Sequence, residues 1–394
     1  MNAFSRNIAI VGAAESDEIG KVPHKSSLQH HAEAAHNALA DAGLSKDDVD
    51  GLFTARFSPL TTAEYMGIRP RYADGTWIGG GSFQSHVIHA MAAIDAGFCE
   101  VALITHGQAG RSSRVPAYTD RFGVGHGTVV DSPDPNQPSL QYELPYGILG
   151  PPVNYAIACS RYMYEYGEVR TRQALAEIAV ATRKWAELNP KAYMREPMSF
   201  DDYHDSRMIA WPFHLLDCCL VTDAGAAVVL TTAERARDLK KKPVWVLGGA
   251  EGFEHGMVTQ MPDFTSVIAR ETGKRAFAMA GIKHADVDLA MLYDAFTYTP
   301  LVSLEDLGFC AKGEGPDFVS DQRTAPGGDF PMNTNGGGLS YTHTGTYGLF
   351  LLIEAVRQLR DECGDRQVND CKVCLVNGMG GILSSCSTLV LAAD

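Results

Sequence analysis

The chain has 394 residues, of which 45% are hydrophobic and 20% are charged, and its formal net charge at pH 7 is −14. This balance is ordinary for a globular protein that buries a large core in one large or two fused domains. Because phosphate-rich partners need clustered lysine and arginine, the negative charge argues against binding to nucleic acid or to an anionic membrane surface. The nine cysteines and the lack of a secretory segment at residues 1–7 predict reduced thiols and a cytoplasmic location, and no apolar run is long enough for a membrane span.

The first half begins with an apolar stretch, residues 8–14, that predicts a buried strand. An amphipathic helix follows and ends at Gly43, a residue suited to a helix C-terminus. Residues 79–81 are three consecutive glycines, the first glycine turn, and they precede an alanine-rich helix and a strand over residues 101–105.

Residues 107–197 interrupt this pattern. Between residues 112 and 147, prolines, glycines and interleaved tyrosines indicate a loop, and long irregular segments in compact domains are usually caps or binding loops. Helical patterns follow over residues 156–166 and 173–188. The interruption therefore predicts a loop subdomain inserted into the first half, which closes with a strand over residues 223–230.

The second half repeats the first. RAFAMAGIKHADVD (residues 275–288) and AHNALADAGLSKDDVD (residues 35–50) both place Val-Asp at the same spacing after Ala-Gly. Apolar strands are predicted before and after this segment, at residues 244–250, 373–376 and 386–392, and the second glycine turn is residues 336–338. The repeat predicts an α/β protein of two similar halves, residues 1–235 and 236–394, with two mixed sheets sandwiched by helices and a site where the glycine turns meet.

Four motifs resemble those of thiolases, most closely the sterol-carrier-protein branch and its lipid-transfer-protein-type bacterial relatives. They are DCCLVTDAGAAVVL (217–230), YDAFT (293–297), NGGGLSYTHTG (335–345) and NGMGG (377–381). Each alone is weak because glycine-rich turns are common, but four in the family's order are specific. The resemblance covers nearly the whole chain and implies the thiolase fold, two α/β halves in a layered αβαβα arrangement.

The two cysteines of the thiolase reaction are missing. A thiolase carries its nucleophile at the start of the long helix of the first half, where the helix dipole lowers a thiol pKa. That segment here offers Ser82, and a serine needs an adjacent base to become a nucleophile. Asn377 stands near the expected position of the second cysteine. Acyl-enzyme chemistry is therefore expected to be lost.

The remaining cysteines do not predict a metal site. Cys371 and Cys374 form a single CxxC on a predicted strand, where side chains three apart point to opposite faces, so we expect core thiols. Cys218 and Cys219 are expected to be small buried hydrophobic residues before a strand.

Two oxyanion motifs are kept in altered form. His343 matches the histidine of the family's Gly-His-Pro motif, which the resemblance implies helps bind the thioester oxygen, although Thr342 and Thr344 flank it here. Tyr293, at the end of a strand predicted over residues 289–292, replaces the Asn or His that opens the other motif. A phenol can donate to an oxyanion or, if its pKa of about 10 is lowered, accept a proton as phenolate. Alone, Tyr293 could be a packing residue and His343 a core histidine; their coincidence with two motifs favours a site.

The resemblance supplies further candidates around this pair. Tyr341 and Asp294 are candidate catalytic residues, and Asp294 is either a base or a structural hydrogen-bond acceptor. The candidate oxyanion or substrate-binding residues are Ser82, Gly338, Asn377, Gly378 and Gly380.

A site that keeps oxyanion donors but lacks the nucleophile can still stabilise a thioester enolate, which is what retro-aldol cleavage of a 3-hydroxyacyl-CoA requires. The pattern resembles the lipid-transfer-protein-type aldolases of steroid side-chain degradation. The resemblance implies a lyase that releases a ketone or aldehyde and acetyl- or propionyl-CoA from a bulky steroid-like or aromatic acyl-CoA. It also implies a homodimer with a small zinc-containing OB-fold subunit that binds acyl-CoA, and no cofactor or metal in this chain.

Two alternatives remain open. One is a thiolase-like acyltransferase or condensing enzyme with an unexpected nucleophile, which a covalent acyl-enzyme would reveal. The other is a non-catalytic subunit that binds acyl-CoA or lipid beside a catalytic partner.

Overall fold

The computed structural model describes residues 6–113, 138–148 and 150–393. Its strands are β1 (Ile8–Glu15), β2 (Gly51–Thr54), β3 (Tyr72–Asp74), β4 (Val101–Ala109), β5 (Met208–Ala210), β6 (Phe213–His214), β7 (Asp223–Thr232), β8 (Val244–Phe253), β9 (Leu289–Leu292), β10 (Val373–Gly380) and β11 (Ser385–Ala392). Its helices are α1 (Ser27–Ala42), α2 (Pro59–Met66), α3 (Ser82–Asp95), α4 (Pro138–Tyr142), α5 (Pro151–Tyr166), α6 (Glu168–Glu187), α7 (Phe200–Asp205), α8 (Ala233–Arg237), α9 (Ala269–Ala280), α10 (Tyr298–Asp306), α11 (Gly315–Phe318) and α12 (Gly348–Leu359).

The internal repeat of the sequence is a repeat of topology. The first half orders its strands β2-β4-β7-β1 and the second β9-β10-β11-β8. In each half the first pair is parallel and the next two pairs are antiparallel. Helices α1 and α9 end at the equivalent glycines Gly43 and Gly281, whose φ angles of 75° and 69° are left-handed. The prediction of two similar α/β halves is confirmed for the described residues.

The two half-sheets join at one edge. Strand β1 pairs with β8 through Ala9 with Trp245 and Ile10 with Val244, which makes a continuous nine-stranded sheet in the order β3-β2-β4-β7-β1-β8-β11-β10-β9. The two mixed sheets predicted from the sequence are these half-sheets, and the β1–β8 pairing joins them. A contact of so few residues leaves no periodic signal in the sequence.

Five layers follow from which helix covers which strands. Helix α1 packs on β1, β4 and β7, and α9 packs on β8 and β11. Helices α3 and α12 contact each other and strands of both halves, so they form the middle layer. The sequence explains this position, because α12 is buried almost all round and such helices belong between sheets rather than at a surface. The αβαβα arrangement of the thiolase fold is present.

The predicted loop subdomain at residues 107–197 is more helical than expected in its described part. Helices α5 and α6 contain or overlap both predicted helices, while residues 114–137 and 149 lie outside the described residues. Helix α5 starts earlier than predicted because Pro151 and Pro152 form its first turn, where proline is well tolerated. The expected boundary between residues 235 and 236 falls within α8. Within the described residues, no helix is long and apolar enough to cross a membrane.

His89 of α3 forms ion pairs that link the two halves. His89 Nδ1 lies 2.6 Å from Asp74 Oδ2, and its Nε2 lies 3.2 Å from Glu251 Oε1 on β8. Hydrogen bonding to Asp74 and then Glu251 raises the pKa of His89 from 6.5 to about 9, against the opposing effect of burial. At neutral pH, His89 is therefore a cation held between carboxylates of the two halves.

Candidate functional site

A cavity of about 280 Å³ lies where the two halves meet the inserted helices. The first half contributes the first glycine turn, the insertion contributes Tyr155, and the second half contributes Tyr293 and His343. The Tyr155 and Phe296 rings pack with centroids 4.6 Å apart on its wall. No Asp, Glu, Lys or Arg is among the described residues that line it. The cavity suits an uncharged apolar group and offers few polar atoms for chemistry.

Tyr293 and His343 supply those polar atoms together. Tyr293 follows β9 directly, at the strand end predicted from the sequence, and its Oη lies 3.1 Å from His343 Nε2. The backbone N–H of Tyr347 donates to the same Oη at 3.1 Å. Both side chains are almost completely buried. The two residues form a hydrogen-bonded pair that lines the cavity.

The tautomer of His343 follows from its other nitrogen. The backbone N–H of Gly345 donates to His343 Nδ1 at 3.2 Å, so Nδ1 carries a lone pair and the proton of the neutral ring lies on Nε2. Nε2–H then donates to Tyr293 Oη, which accepts from Tyr347 as well. With two donors on the oxygen, the proton of the Tyr293 hydroxyl is left to point toward the cavity.

Burial decides the resting charge of Tyr293. Desolvation raises the pKa of the phenol well above its usual 10, and the hydrogen bond from Tyr347 lowers it only in part. The sequence-based hypothesis required a lowered pKa for a phenolate base, and on this point it is corrected. Tyr293 is therefore a neutral phenol.

The first glycine turn makes room for the Tyr293 ring. A Cβ on Gly80 would lie 2.2 Å from Tyr293 Oη, and a Cβ on Gly79, whose φ is 85°, would lie 2.4 Å from the backbone nitrogen of Gly381. On the other side, a Cβ on Gly338 would lie 3.2 Å from a His343 ring carbon. The two glycine turns therefore flank the site, with Tyr293 and His343 between them.

Ser82 supports the first glycine turn. Its Oγ donates to Gly79 O at 2.7 Å and accepts from the N–H of Ile78 at 2.9 Å. It is completely buried and is not among the residues that line the cavity. No base accompanies it, so its geometry fits a cap on the turn rather than a nucleophile.

Asp294 organises the second glycine turn. Its Oδ1 accepts from the N–H of Gly338 at 2.7 Å and its Oδ2 from the N–H of Leu339 at 3.3 Å. A Cβ on Gly337 would lie 1.9 Å from Asp294 Oδ2, so the turn must be glycine there. Burial raises the pKa of Asp294 to about 7 despite these bonds. Of the two alternatives left by the sequence, the contacts favour the structural acceptor.

The other candidates lie behind the cavity wall. The Tyr341 ring packs edge-on against Phe350, with centroids 5.9 Å apart, and does not line the cavity. Asn377 is within β10 and donates from Nδ2 to Thr388 Oγ1 at 2.8 Å. Gly378 and Gly380 lie against the segment that carries the first glycine turn, where added Cβ atoms would clash. These residues shape the site from outside.

Sequence reasoning missed several of the residues that line the cavity, among them Tyr155, Cys218 and Cys219. The second tyrosine there is Tyr155 of α5, whose hydroxyl donates to Gly381 O at 3.3 Å. Cys218 and Cys219 precede β7 as predicted, but they line the cavity and are only partly buried, which corrects the prediction of buried residues. Burial raises the pKa of Cys218 to about 12 and that of Cys219 further, so both are thiols rather than nucleophilic thiolates. Both cysteines lie within the 217–230 motif, and that membership is the signal that could have indicated them.

Cys371 and Cys374 are buried, as expected of core thiols. Over the described ranges, no group of three or more His, Cys, Asp or Glu residues could hold a metal ion.

Comparisons with known proteins identify the family of this chain. Residues 250–393 match the family model of the thiolase C-terminal domain-like family. The chain is 37% identical over 369 residues to a 17-hydroxy-3-oxo-4-pregnene-20-carboxyl-CoA lyase of Mycobacterium tuberculosis, covering 91% of this chain and 92% of the relative. It is 36% identical to a steroid side-chain-cleaving aldolase of Thermomonospora curvata, covering 98% and 97%.

A solved structure of the Ltp2-ChsH2(DUF35) aldolase superposes with a TM-score of 0.89 at 34% identity, over 100% of this chain and 99% of the other.

Proposed function

Since this chain belongs to the thiolase superfamily, in the branch of the steroid side-chain-cleaving aldolases, we propose that it is a lyase that cleaves a bulky 3-hydroxyacyl-CoA by a retro-aldol reaction. The products are a ketone or aldehyde and acetyl- or propionyl-CoA. The observation that carries the proposal is the Tyr293–His343 pair in an apolar cavity whose thiols are not activated.

Tyr293 acts as a proton relay in this reaction. The substrate hydroxyl gives its proton to Tyr293 Oη as the bond between the α and β carbons breaks and the carbonyl product forms. In the same concerted step the Tyr293 hydroxyl gives its own proton to the α carbon, and this transfer runs ahead of the first, so that Oη becomes partly negative, the proton count balances and no resting phenolate is needed. While the proton is in transit, His343 Nε2–H and the Tyr347 N–H stabilise negative charge on Oη.

The cavity wall supports a large apolar acyl group. Tyr155 and Phe296 present aromatic surface, and Phe213 stacks behind Phe296 with ring centroids 5.1 Å apart. A charged acyl group would find no counter-ion among the described lining residues. A steroid-like or aromatic acyl group fits this surface.

Acyl transfer is the alternative that the cavity thiols raise. Cys219 lines the cavity, but burial keeps it protonated, and it is not at the start of α3, where a helix dipole would activate it. A covalent acyl-enzyme detected by intact mass would favour acyl transfer, and release of a ketone or aldehyde without an adduct favours the lyase.

We further propose a homodimer that works with a small zinc-containing OB-fold subunit. The name of the Ltp2-ChsH2(DUF35) aldolase joins two components, and the apolar cavity lining of this chain offers no basic residue for the CoA phosphates. The nine cysteines are free thiols, which fits a cytoplasmic location. Zinc belongs to the partner subunit in this proposal, and the chain itself needs no cofactor.

The test is a screen of 3-hydroxyacyl-CoA thioesters with steroid, aromatic and short aliphatic side chains. The chain is assayed alone and after co-expression with a candidate OB-fold subunit, and both products are identified by mass. Cleavage of bulky thioesters that increases with the partner is expected. Full activity of the purified homodimer would remove the partner from the proposal, and turnover only with free CoA as acyl acceptor would replace lyase by transferase.

A further inference from the structure

A short segment of the first half crosses the loops of the candidate site. Just before β7, the N–H of Cys219 donates to Ala295 O at 2.9 Å and the N–H of Leu220 donates to Gly338 O at 2.9 Å. The N–H of Thr222 donates to His343 O at 3.0 Å. We call residues 219–222 the crossing segment. It bonds in turn to the loop after Tyr293, the second glycine turn and the loop of His343.

Thr222 binds both backbone polar groups of His343, its carbonyl oxygen and its N–H. Besides the bond from its own N–H, Thr222 Oγ1 accepts from the N–H of His343 at 2.9 Å. The same Oγ1 lies 2.7 Å from Thr342 Oγ1. Thr222 is completely buried, so water cannot replace these partners. One side chain therefore fixes the backbone from which the imidazole projects.

The imidazole is useful only in one orientation. Nδ1 must accept from Gly345 N–H for Nε2 to present its proton to Tyr293 Oη. A backbone shift at His343 would lengthen one of these two bonds and allow the other tautomer. Misplacements of about 1 Å in a site can cost about 100-fold in rate.

We infer that Thr222 is a positioning residue: its hydroxyl fixes the backbone of His343 so that Nε2–H faces Tyr293 Oη. The inference rests on the proposed function of the Tyr293–His343 pair. It adds a residue from the other half of the chain, outside the cavity lining, that acts only through His343.

The kinetic test compares Thr222→Val, Thr222→Ser and Thr231→Val. Valine keeps the shape of threonine but leaves the His343 N–H without its acceptor, and serine restores that acceptor. Thr231 is the matched control, because it is equally buried, lies on β7 directly after the crossing segment, and its hydroxyl donates to Glu100 O at 2.8 Å, far from the cavity. We expect kcat of Thr222→Val to fall about 10- to 100-fold with KM changed less than about threefold. Thr222→Ser and Thr231→Val should stay within about threefold of wild type.

A second measurement needs no substrate. Imidazole ¹⁵N NMR, with the His343 signal assigned by its loss in His343→Gln, should show the Nε2–H tautomer in wild type and in Thr222→Ser. Thr222→Val should show a mixture of tautomers. If it does not fold, Thr222→Ala is measured in its place.

Two results overturn the inference: an unchanged His343 tautomer in the variant without the hydroxyl, or a kcat loss no larger than that of Thr231→Val. If wild type cleaves no 3-hydroxyacyl-CoA, the proposed function fails, while the NMR result still decides whether Thr222 orients His343.

Discussion

Replacing Tyr293 by phenylalanine removes one oxygen from the centre of the site. That oxygen accepts from Tyr347 N–H and bonds His343 Nε2, each at 3.1 Å, and is the only acid–base group that the proposed relay uses. Loss of a general acid–base group costs about 10²–10⁴-fold, so kcat should fall by that factor. The ring still fills the space against Gly80, so KM should change little. The Tyr347 N–H loses its partner, which should lower the free energy of unfolding by about 1–3 kcal/mol.

The assay is steady-state cleavage of a 3-hydroxyacyl-CoA, with the melting temperature measured in parallel. Tyr298→Phe is the matched control, because Tyr298 is equally buried and its hydroxyl donates to Phe264 O at 3.0 Å, outside the cavity. It should lose stability but not kcat. A Tyr293→Phe enzyme that keeps more than about a tenth of wild-type kcat would refute the relay, because that loss is below the range for a missing acid–base group.

Three further predictions concern the surroundings. Cys219→Ala should keep kcat within about threefold, because burial holds this thiol protonated; a much larger loss, with an acyl adduct on Cys219 of wild type in intact-mass spectra, would contradict the lyase assignment. Asp294→Asn keeps the shape but weakens the bonds to the second glycine turn, so its melting temperature should fall, corresponding to about 1–3 kcal/mol; unchanged stability with abolished kcat would instead make Asp294 a base. His89→Gln should be less stable than wild type at pH 6 and approach it as the pH rises through about 9, because the raised pKa of His89 means that its contribution is complete below 6.5 and lost above about 9. The difference should reach at most about 3 kcal/mol, and a difference independent of pH in urea unfolding would count against the ion pair with Asp74 and Glu251.

The features that occur in both halves of the chain could be predicted from the sequence. The Ala-Gly and Val-Asp spacing predicted two equivalent halves, and both glycine C-caps are present at Gly43 and Gly281. The strand before Tyr293 was also predicted, since residues 289–292 are a short apolar run before a polar motif. Such features depend on neighbours close in the chain, which is why local pattern was enough.

The features that could not be predicted from the sequence depend on contacts between residues far apart in the chain. Tyr155 reaches the cavity because α5 packs over the second half, and nothing in the helix sequence distinguishes it from the tyrosines that follow. The roles of Asp294 and Thr222 depend on N–H groups 44 and 121 residues away. The charge state of Tyr293 depends on burial, which a motif does not specify.

The crossing segment also shows that the two similar halves of the fold contribute different parts of the candidate site. The first half contributes the first glycine turn, which leaves space for the Tyr293 ring, and the crossing segment, which hydrogen-bonds to loops of the second half. The second half supplies the Tyr293–His343 pair that the proposed reaction uses. A side chain added at Gly80 of the first half, for example, would collide with Tyr293 of the second. Substitutions more than a hundred positions from Tyr293 along the chain can therefore behave as active-site substitutions, and sequence distance is a poor guide to tolerance in this protein.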